Sequence, residues 1–268
     1  MSNMYIMQDS KKIELEFSTY PDGTENLKAF ELPSESKCYL TINVKEPNRD
    51  LFRIMLAREA LDSLRIGNVV LNIPYLPHAR ADRVFKGYMV SPLMVFLEAL
   101  DRLHFDEILV EDVHSKVAPN YTPSLTSTYQ FPKFPKQLIV CAPDIGAWDR
   151  ANEVALKNDN HFISCVKERD PVSGYPKIKS ILNLPKDFKG QQVVLVDDIC
   201  DGGSTFITLA KELKRLGFGK VHLFTSHGIY SKGLRVFDDI LSSVNCNNII
   251  GSYVNKQHLL DFNNRTDK

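Results

Sequence analysis

Residues 193–206 read VVLVDDICDGGSTF. Four apolar residues, 193–196, have the pattern of a strand buried on both faces. Three acids follow (Asp197, Asp198, Asp201), then Gly202 and Gly203, then Ser204 and Thr205 at the head of a helical pattern over 205–216. Glycines let the backbone turn tightly and approach a ligand, and the free N–H groups at a helix start favour an anion. The acids would repel a bare phosphate. The conflict disappears for a sugar phosphate: carboxylates accept hydrogen bonds from vicinal ribose hydroxyls, or hold Mg²⁺ through water, while the glycine loop takes the phosphate. The stretch matches neither GxGxxG nor GxxxxGK[ST], which argues against those nucleotide loops.

Outward from this stretch, strand and helix patterns alternate. Strands are expected at 38–44, 69–75, 108–113, 137–142, 161–166, 221–225 and 249–254. Helices are expected from an Asn48 cap to Gly67, then at 91–105, 148–156 and 234–241. Strands apolar on both faces that alternate with helices imply parallel sheets covered on both sides, hence an α/β fold. Ligands then collect at the carboxyl ends of the strands. With 268 residues, 43% hydrophobic, the chain is long enough for two compact domains, expected at 1–140 and 141–268. Lys plus Arg and Asp plus Glu balance at 33 each, so net charge offers no long-range attraction to nucleic acid or an acidic membrane. No run has the length of a membrane span and the N-terminus lacks a signal-peptide pattern, so a cytoplasmic chain is expected. Five scattered cysteines without CxxC spacing argue against disulfides and structural zinc, with Cys200 alone expected near a site.

The acidic glycine loop resembles the ribose-phosphate loop of the type I phosphoribosyltransferase fold. Other strand ends narrow the resemblance. PYLPHARADRVF, 74–85, is similar to the PYxxxARQDR segment with which ribose-phosphate pyrophosphokinases hold ATP; Ala81 stands where Gln is usual. EDVHSK carries Asp112 and His114 at the spacing of that family's DLH element. APDIGA, 142–147, resembles SPDxGG; KER, 167–169, its K-x-R pair at the start of a mobile loop; FTSHG, 224–228, its ATHG; and YPDGTE its FxDGE. The motifs run in unbroken order from Pro21 to Gly228.

The resemblance implies two phosphoribosyltransferase-like domains, each a mainly parallel sheet flanked by helices, with ATP-side motifs in the first and the ribose 5-phosphate loop in the second. It further implies an enzyme that moves a diphosphoryl group from Mg·ATP to the 1-hydroxyl of ribose 5-phosphate. ATP would be held by Arg80, Asp82, Arg83 and Asp22; ribose 5-phosphate by Asp197, Asp198, Asp201, Gly202, Gly203, Ser204 and Thr205; Mg²⁺ by His114 and Asp144. Lys167 and Arg169 would neutralise the transferring group, and DPVSGYPK would form a lid. Thr225, Ser226 and the Gly228 N–H are read as phosphate donors. A homo-oligomer is expected, with no nucleic-acid or membrane partner. Two other readings share these motifs: a phosphoribosyltransferase that consumes phosphoribosyl pyrophosphate, and a regulatory paralogue without activity.

Overall fold

The computed structural model describes residues 3–33, 36–84, 86–115, 118–169 and 176–250. The chain divides into two compact units, Met1–Tyr129 and Gln130–Lys268.

The first unit contains β1 (Asn3–Gln8), β2 (Lys11–Glu14), β3 (Phe17–Thr19), β4 (Glu25–Leu27), β5 (Cys38–Asn43), α1 (Pro47–Ser63), β6 (Val69–Ile73), α2 (Pro92–Asp101), β7 (Glu107–Glu111), α3 (Ala118–Tyr121) and β8 (Leu125–Thr128). Its sheet has the order β2-β1-β5-β6-β7-β8, parallel from β5 to β8 and antiparallel at β1 and β2. Buried Leu40, Ile42, Leu71, Ile73, Ile108 and Val110 form the strand side of the core, against Ile54, Ala57 and Leu61 of α1 and Leu93, Leu97 and Leu100 of α2. Asn48 does not cap α1. Glu46 occupies that position, and the buried Asp50 carboxylate accepts from the Lys45 and Glu46 N–H groups at 2.8 and 2.9 Å. Ser91 caps α2 as its type favours, accepting from the Met94 N–H.

The β3–β4 hairpin is fastened to α1 by charge. Glu25 accepts from Arg49 Nε at 2.9 Å, Arg53 Nε at 2.7 Å and the Thr19 hydroxyl at 2.6 Å. Burial pushes the Glu25 carboxyl upward, but these donors outweigh it and hold it at about 2, against an ordinary 4.5. A depressed carboxylate stabilises the fold fully above its unfolded value. That contribution is therefore lost as pH falls from about 4.5 towards 2, and allowing for the partly exposed Arg49 it amounts to about 2 kcal/mol. Glu25→Gln is expected to flatten the acid limb of a urea-midpoint versus pH curve below pH 5; an unchanged limb would exclude the lock.

The second unit contains β9 (Ile139–Ala142), α4 (Trp148–Asn158), β10 (Phe162–Arg169), β11 (Pro176–Leu182), β12 (Val193–Cys200), α5 (Ser204–Leu216), β13 (Val221–Gly228) and β14 (Ser243–Ile249). Its sheet runs β11-β10-β9-β12-β13-β14, parallel except for β11. The α/β architecture with two mainly parallel sheets is as expected. Residues 234–241, however, hold only a short 3₁₀ turn at Leu234–Phe237; the last strand among the described residues is Ser243–Ile249, and of the strand expected at 249–254, residues 251–254 lie outside them. Among the described residues no helix is long and apolar enough to cross a membrane.

Candidate active site

From β9 the second sheet grows one way, to β10 and β11; the chain then crosses to the other side of β9 for β12, β13 and β14. Crossovers that leave adjacent strands in opposite directions open a crevice at their carboxyl ends, the usual ligand position of such sheets. Here the crevice lies between β9 and β12. In the first unit β5, β6, β7 and β8 follow one another in a single direction, so its parallel strands form no such switch point.

The crevice is acidic. β9 pairs with β12 only as far as Leu195↔Cys141, whereas β12 continues beside β13 through Asp197↔Thr225 and Cys200↔Gly228. Asp197 and Asp198 therefore sit on the strand itself, not beyond it, on the side that β9 has left. After β9, the Asp144 carboxylate accepts from the Ala147 N–H at 3.2 Å and opens a 3₁₀ turn into α4. Arg150 of α4 reaches back, with guanidinium nitrogens 3.7 Å from an Asp197 oxygen and 3.8 Å from an Asp198 oxygen. Burial raises the Asp197 carboxyl well above its ordinary value, Asp198 and Asp144 push it further, and Arg150 opposes them.

Beyond β12 the chain turns through Asp201, Gly202 and Gly203 into α5. Gly203 has φ +76°, and a Cβ there would come within 2.4 Å of the buried Phe237 ring. Both backbone conformation and space exclude a side chain, which leaves the N–H groups at the head of α5 accessible to an anion. Gly203→Ala is expected to lower stability by roughly 1–3 kcal/mol. A variant with a wild-type urea midpoint would show that the tight turn tolerates a side chain. The Asp201 carboxylate accepts from the Ser231 hydroxyl at 2.5 Å, and the Cys200 carbonyl accepts from the Ile229 and Tyr230 N–H groups, so the segment after β13 is laced to this loop. Cys200 does lie at the site. It is buried, and its thiol is pushed far up by burial, with Asp197 next in effect, which makes it an inert packing residue.

Lys167 and Arg169 stand on the last turn-free positions of β10, opposite Ile178 and Pro176 of β11. They are the sixth and eighth residues of β10; of the lid expected from DPVSGYPK, residues 170–175 lie outside the described residues, while Pro176 and Lys177 belong to β11. Thr225 and Ser226 are fully buried in β13, and Thr225 donates to the His227 carbonyl at 3.1 Å; read as phosphate donors from sequence, they lie inside the sheet instead.

In the first unit the ATP-type segments meet at the carboxyl edge. After β6 the chain turns through His78, packed on Phe96, to exposed Arg80 and Arg83. Asp82 accepts from the Ser115 hydroxyl at 3.2 Å, which draws the loop carrying exposed His114 onto this segment, and Ser91 donates to the Ala81 carbonyl at 2.6 Å. Asp22 accepts from the N–H and hydroxyl of Thr24 at 3.0 and 2.7 Å, which lowers its carboxyl and forms the β3–β4 turn. His114 and Asp144, expected together at a metal, belong to different units.

Sequence reasoning missed Arg150. Its signal was present: a cation in the first turn of a helix opposes the dipole, and so implies an acidic partner.

Residues 131–256 match the family model of the phosphoribosyl transferase domain. The chain is 26% identical to the ribose-phosphate pyrophosphokinase of Pyrococcus abyssi, over 96% of this chain and 91% of that protein. It is 28% identical to that of Pyrococcus furiosus, over 85% and 82% respectively. The crystal structure of phosphoribosylpyrophosphate synthetase from Mycobacterium smegmatis matches with a TM-score of 0.69 at 18% identity, over 86% of this chain and 78% of that one, a likeness of fold. The chain is thus similar to the ribose-phosphate pyrophosphokinases along most of its length, and the match to the phosphoribosyl transferase domain model falls in its second unit.

Proposed function

We propose that the protein is a ribose-phosphate diphosphokinase: it transfers the β,γ-diphosphoryl group of Mg·ATP to the 1-hydroxyl of ribose 5-phosphate, giving phosphoribosyl pyrophosphate and AMP. The observation that carries this reading is the switch-point crevice in which Asp197 and Asp198 adjoin the glycine loop at the head of α5. The 5-phosphate lies on Asp201, Gly202, Gly203, Ser204 and Thr205, through backbone N–H groups and hydroxyls. Asp197 and Asp198 accept from the ribose hydroxyls. Arg80 and Arg83 grip ATP phosphates with forked donors, Asp82 braces that segment, and Asp22 shapes the hairpin turn that faces the nucleotide.

In the reaction the 1-oxygen bonds to the β-phosphorus and gives up its proton to solvent, as the bond from that phosphorus to the α-bridging oxygen breaks and AMP leaves with the electron pair. Little covalent work falls to the protein: it aligns the groups and offsets charge, with Lys167 and Arg169 beside the transferring phosphates. Among the described residues no three His, Cys, Asp or Glu side chains are grouped to cage an ion. The donor set instead suits Mg²⁺ held through a carboxylate such as Asp144, or through His114, together with substrate phosphates. When bound, that ion supplies charge neutralisation on the phosphates. Cysteines outside any disulfide suit a reducing cytoplasm, and a homo-oligomer is part of the same reading, tested by sedimentation with and without Mg·ATP.

A phosphoribosyltransferase that consumes phosphoribosyl pyrophosphate is the second reading, because the family model covers residues 131–256 alone. The similarity of the pyrophosphokinases along 96% of the chain favours the first. AMP formed from ribose 5-phosphate and Mg·ATP supports diphosphoryl transfer. No AMP, with pyrophosphate released from a nucleobase plus phosphoribosyl pyrophosphate, would replace it with the second.

A further inference from the structure

The segment after β13 brings one cation to the glycine loop that the ribose-phosphate motif does not include. Lys232 lies along Gly202: a Cβ built on that glycine would be 3.3 Å from Lys232 Cε, 3.5 Å from Cδ and 3.7 Å from Cγ. Its aliphatic stem thus occupies the space a side chain at position 202 would fill, and its ammonium is one bond further on. The backbone around it is pinned. Ile229 and Tyr230 donate to the Cys200 carbonyl at 2.8 and 3.2 Å, Ser231 holds Asp201 at 2.5 Å, and the Gly233 N–H donates to the Tyr230 carbonyl at 2.8 Å, closing a turn around residues 231 and 232. Tyr230, fully buried against Phe237, anchors the turn in the core.

Lys232 is exposed, and its ammonium has no ion-pair or hydrogen-bond partner among the described residues. Asp201, the acid within the loop, is bonded by Ser231. The turn therefore delivers an uncommitted positive charge to the side of a loop whose other donors are neutral N–H and hydroxyl groups. From this geometry we infer that Lys232 is a further substrate-binding residue, one that contacts the 5-phosphate of the sugar and selects the phosphorylated sugar over the free one. Gly202 is small so that the stem can cross it. The inference rests on the ribose 5-phosphate reading of the loop.

The test uses the full chain and two readouts. Initial rates of AMP formation at saturating Mg·ATP are measured against ribose 5-phosphate for wild type, Lys232→Ala and Lys232→Arg. Inorganic phosphate is titrated calorimetrically into the same three proteins. Loss of one charge-assisted contact should raise the KM for ribose 5-phosphate about tenfold to a hundredfold in Lys232→Ala, with kcat and the KM for ATP within about twofold. Phosphate affinity should fall by a similar factor, and Lys232→Arg should recover most of both. A KM within about twofold of wild type in Lys232→Ala overturns the inference while the diphosphokinase reading stands. If wild type forms no AMP, that reading fails and the phosphate titration alone decides: equal affinity in wild type and Lys232→Ala overturns the role of Lys232.

Discussion

Replacing Lys167 and Arg169 together by Ala is expected to lower the turnover of AMP formation by about 10³- to 10⁵-fold, with ribose 5-phosphate affinity within about threefold of wild type. The transferring diphosphoryl group carries its charge on several oxygens, and a cation absent from the ground-state contacts acts mainly on the transition state. Both residues lie at the far end of β10, two and four positions after Cys165, on a strand that pairs with β9 through Phe162, Ile163 and Ser164. β9 leads into Asp144 and the crevice, so the fold directs this arm and the acidic site from neighbouring strands. Single-turnover rates and equilibrium binding of ribose 5-phosphate separate the two effects. Unchanged turnover in the double variant would remove both residues from the mechanism.

The second large effect concerns the acids. Asp197→Asn with Asp198→Asn keeps the side-chain shapes but removes both charges, and should lower kcat/KM for ribose 5-phosphate by about 10²- to 10⁴-fold. Part of any loss could arise from the fold, because Arg150 is largely buried and would lose its pairing with both acids. A third change, Arg150→Met, removes that stranded charge: thermal stability should recover while kcat/KM stays low. Restored kcat/KM in the triple variant would contradict a direct role for the acids.

Arg150 also sets a pH dependence. Asp197 is held above the ordinary carboxylate range by burial, Asp198 and Asp144, and Arg150 pulls it down. Its useful charge is therefore lost as pH falls through that raised value, earlier than for an exposed aspartate. In Arg150→Met the acid limb of kcat/KM should move to higher pH. A limb that stays in place would detach the profile from Asp197.

Much of this arrangement was legible from residue types. The apolar run at 193–196 and the glycines after it identified the central strand and loop, because a buried parallel strand and a tight turn each demand a narrow set of residues. The extent of that strand was not legible. Asp197, Asp198 and Cys200 look like the loop's beginning, yet pairing with Thr225, His227 and Gly228 carries β12 onward, a tertiary effect that local pattern does not contain. The four short N-terminal strands were missed for a related reason. β2 and β4 are largely polar, and are held by antiparallel partners and by the Glu25–Arg49–Arg53 contacts. At the site, motif residues stood out because several chemistries coincide in one short stretch. Arg150 and Lys232 did not, since each is an ordinary cation in sequence and gains its role only from the crevice and the turn that hold it.

In the diphosphokinase reading the β,γ-diphosphoryl group of ATP moves intact. The most direct measurement supplies ATP labelled at the β-phosphorus together with ribose 5-phosphate and Mg²⁺, and follows the label by separation of the products. AMP without label and labelled diphosphate on the 1-oxygen of the ribose are expected. Label retained in ADP would mean transfer of the γ-phosphoryl group alone, and would contradict it.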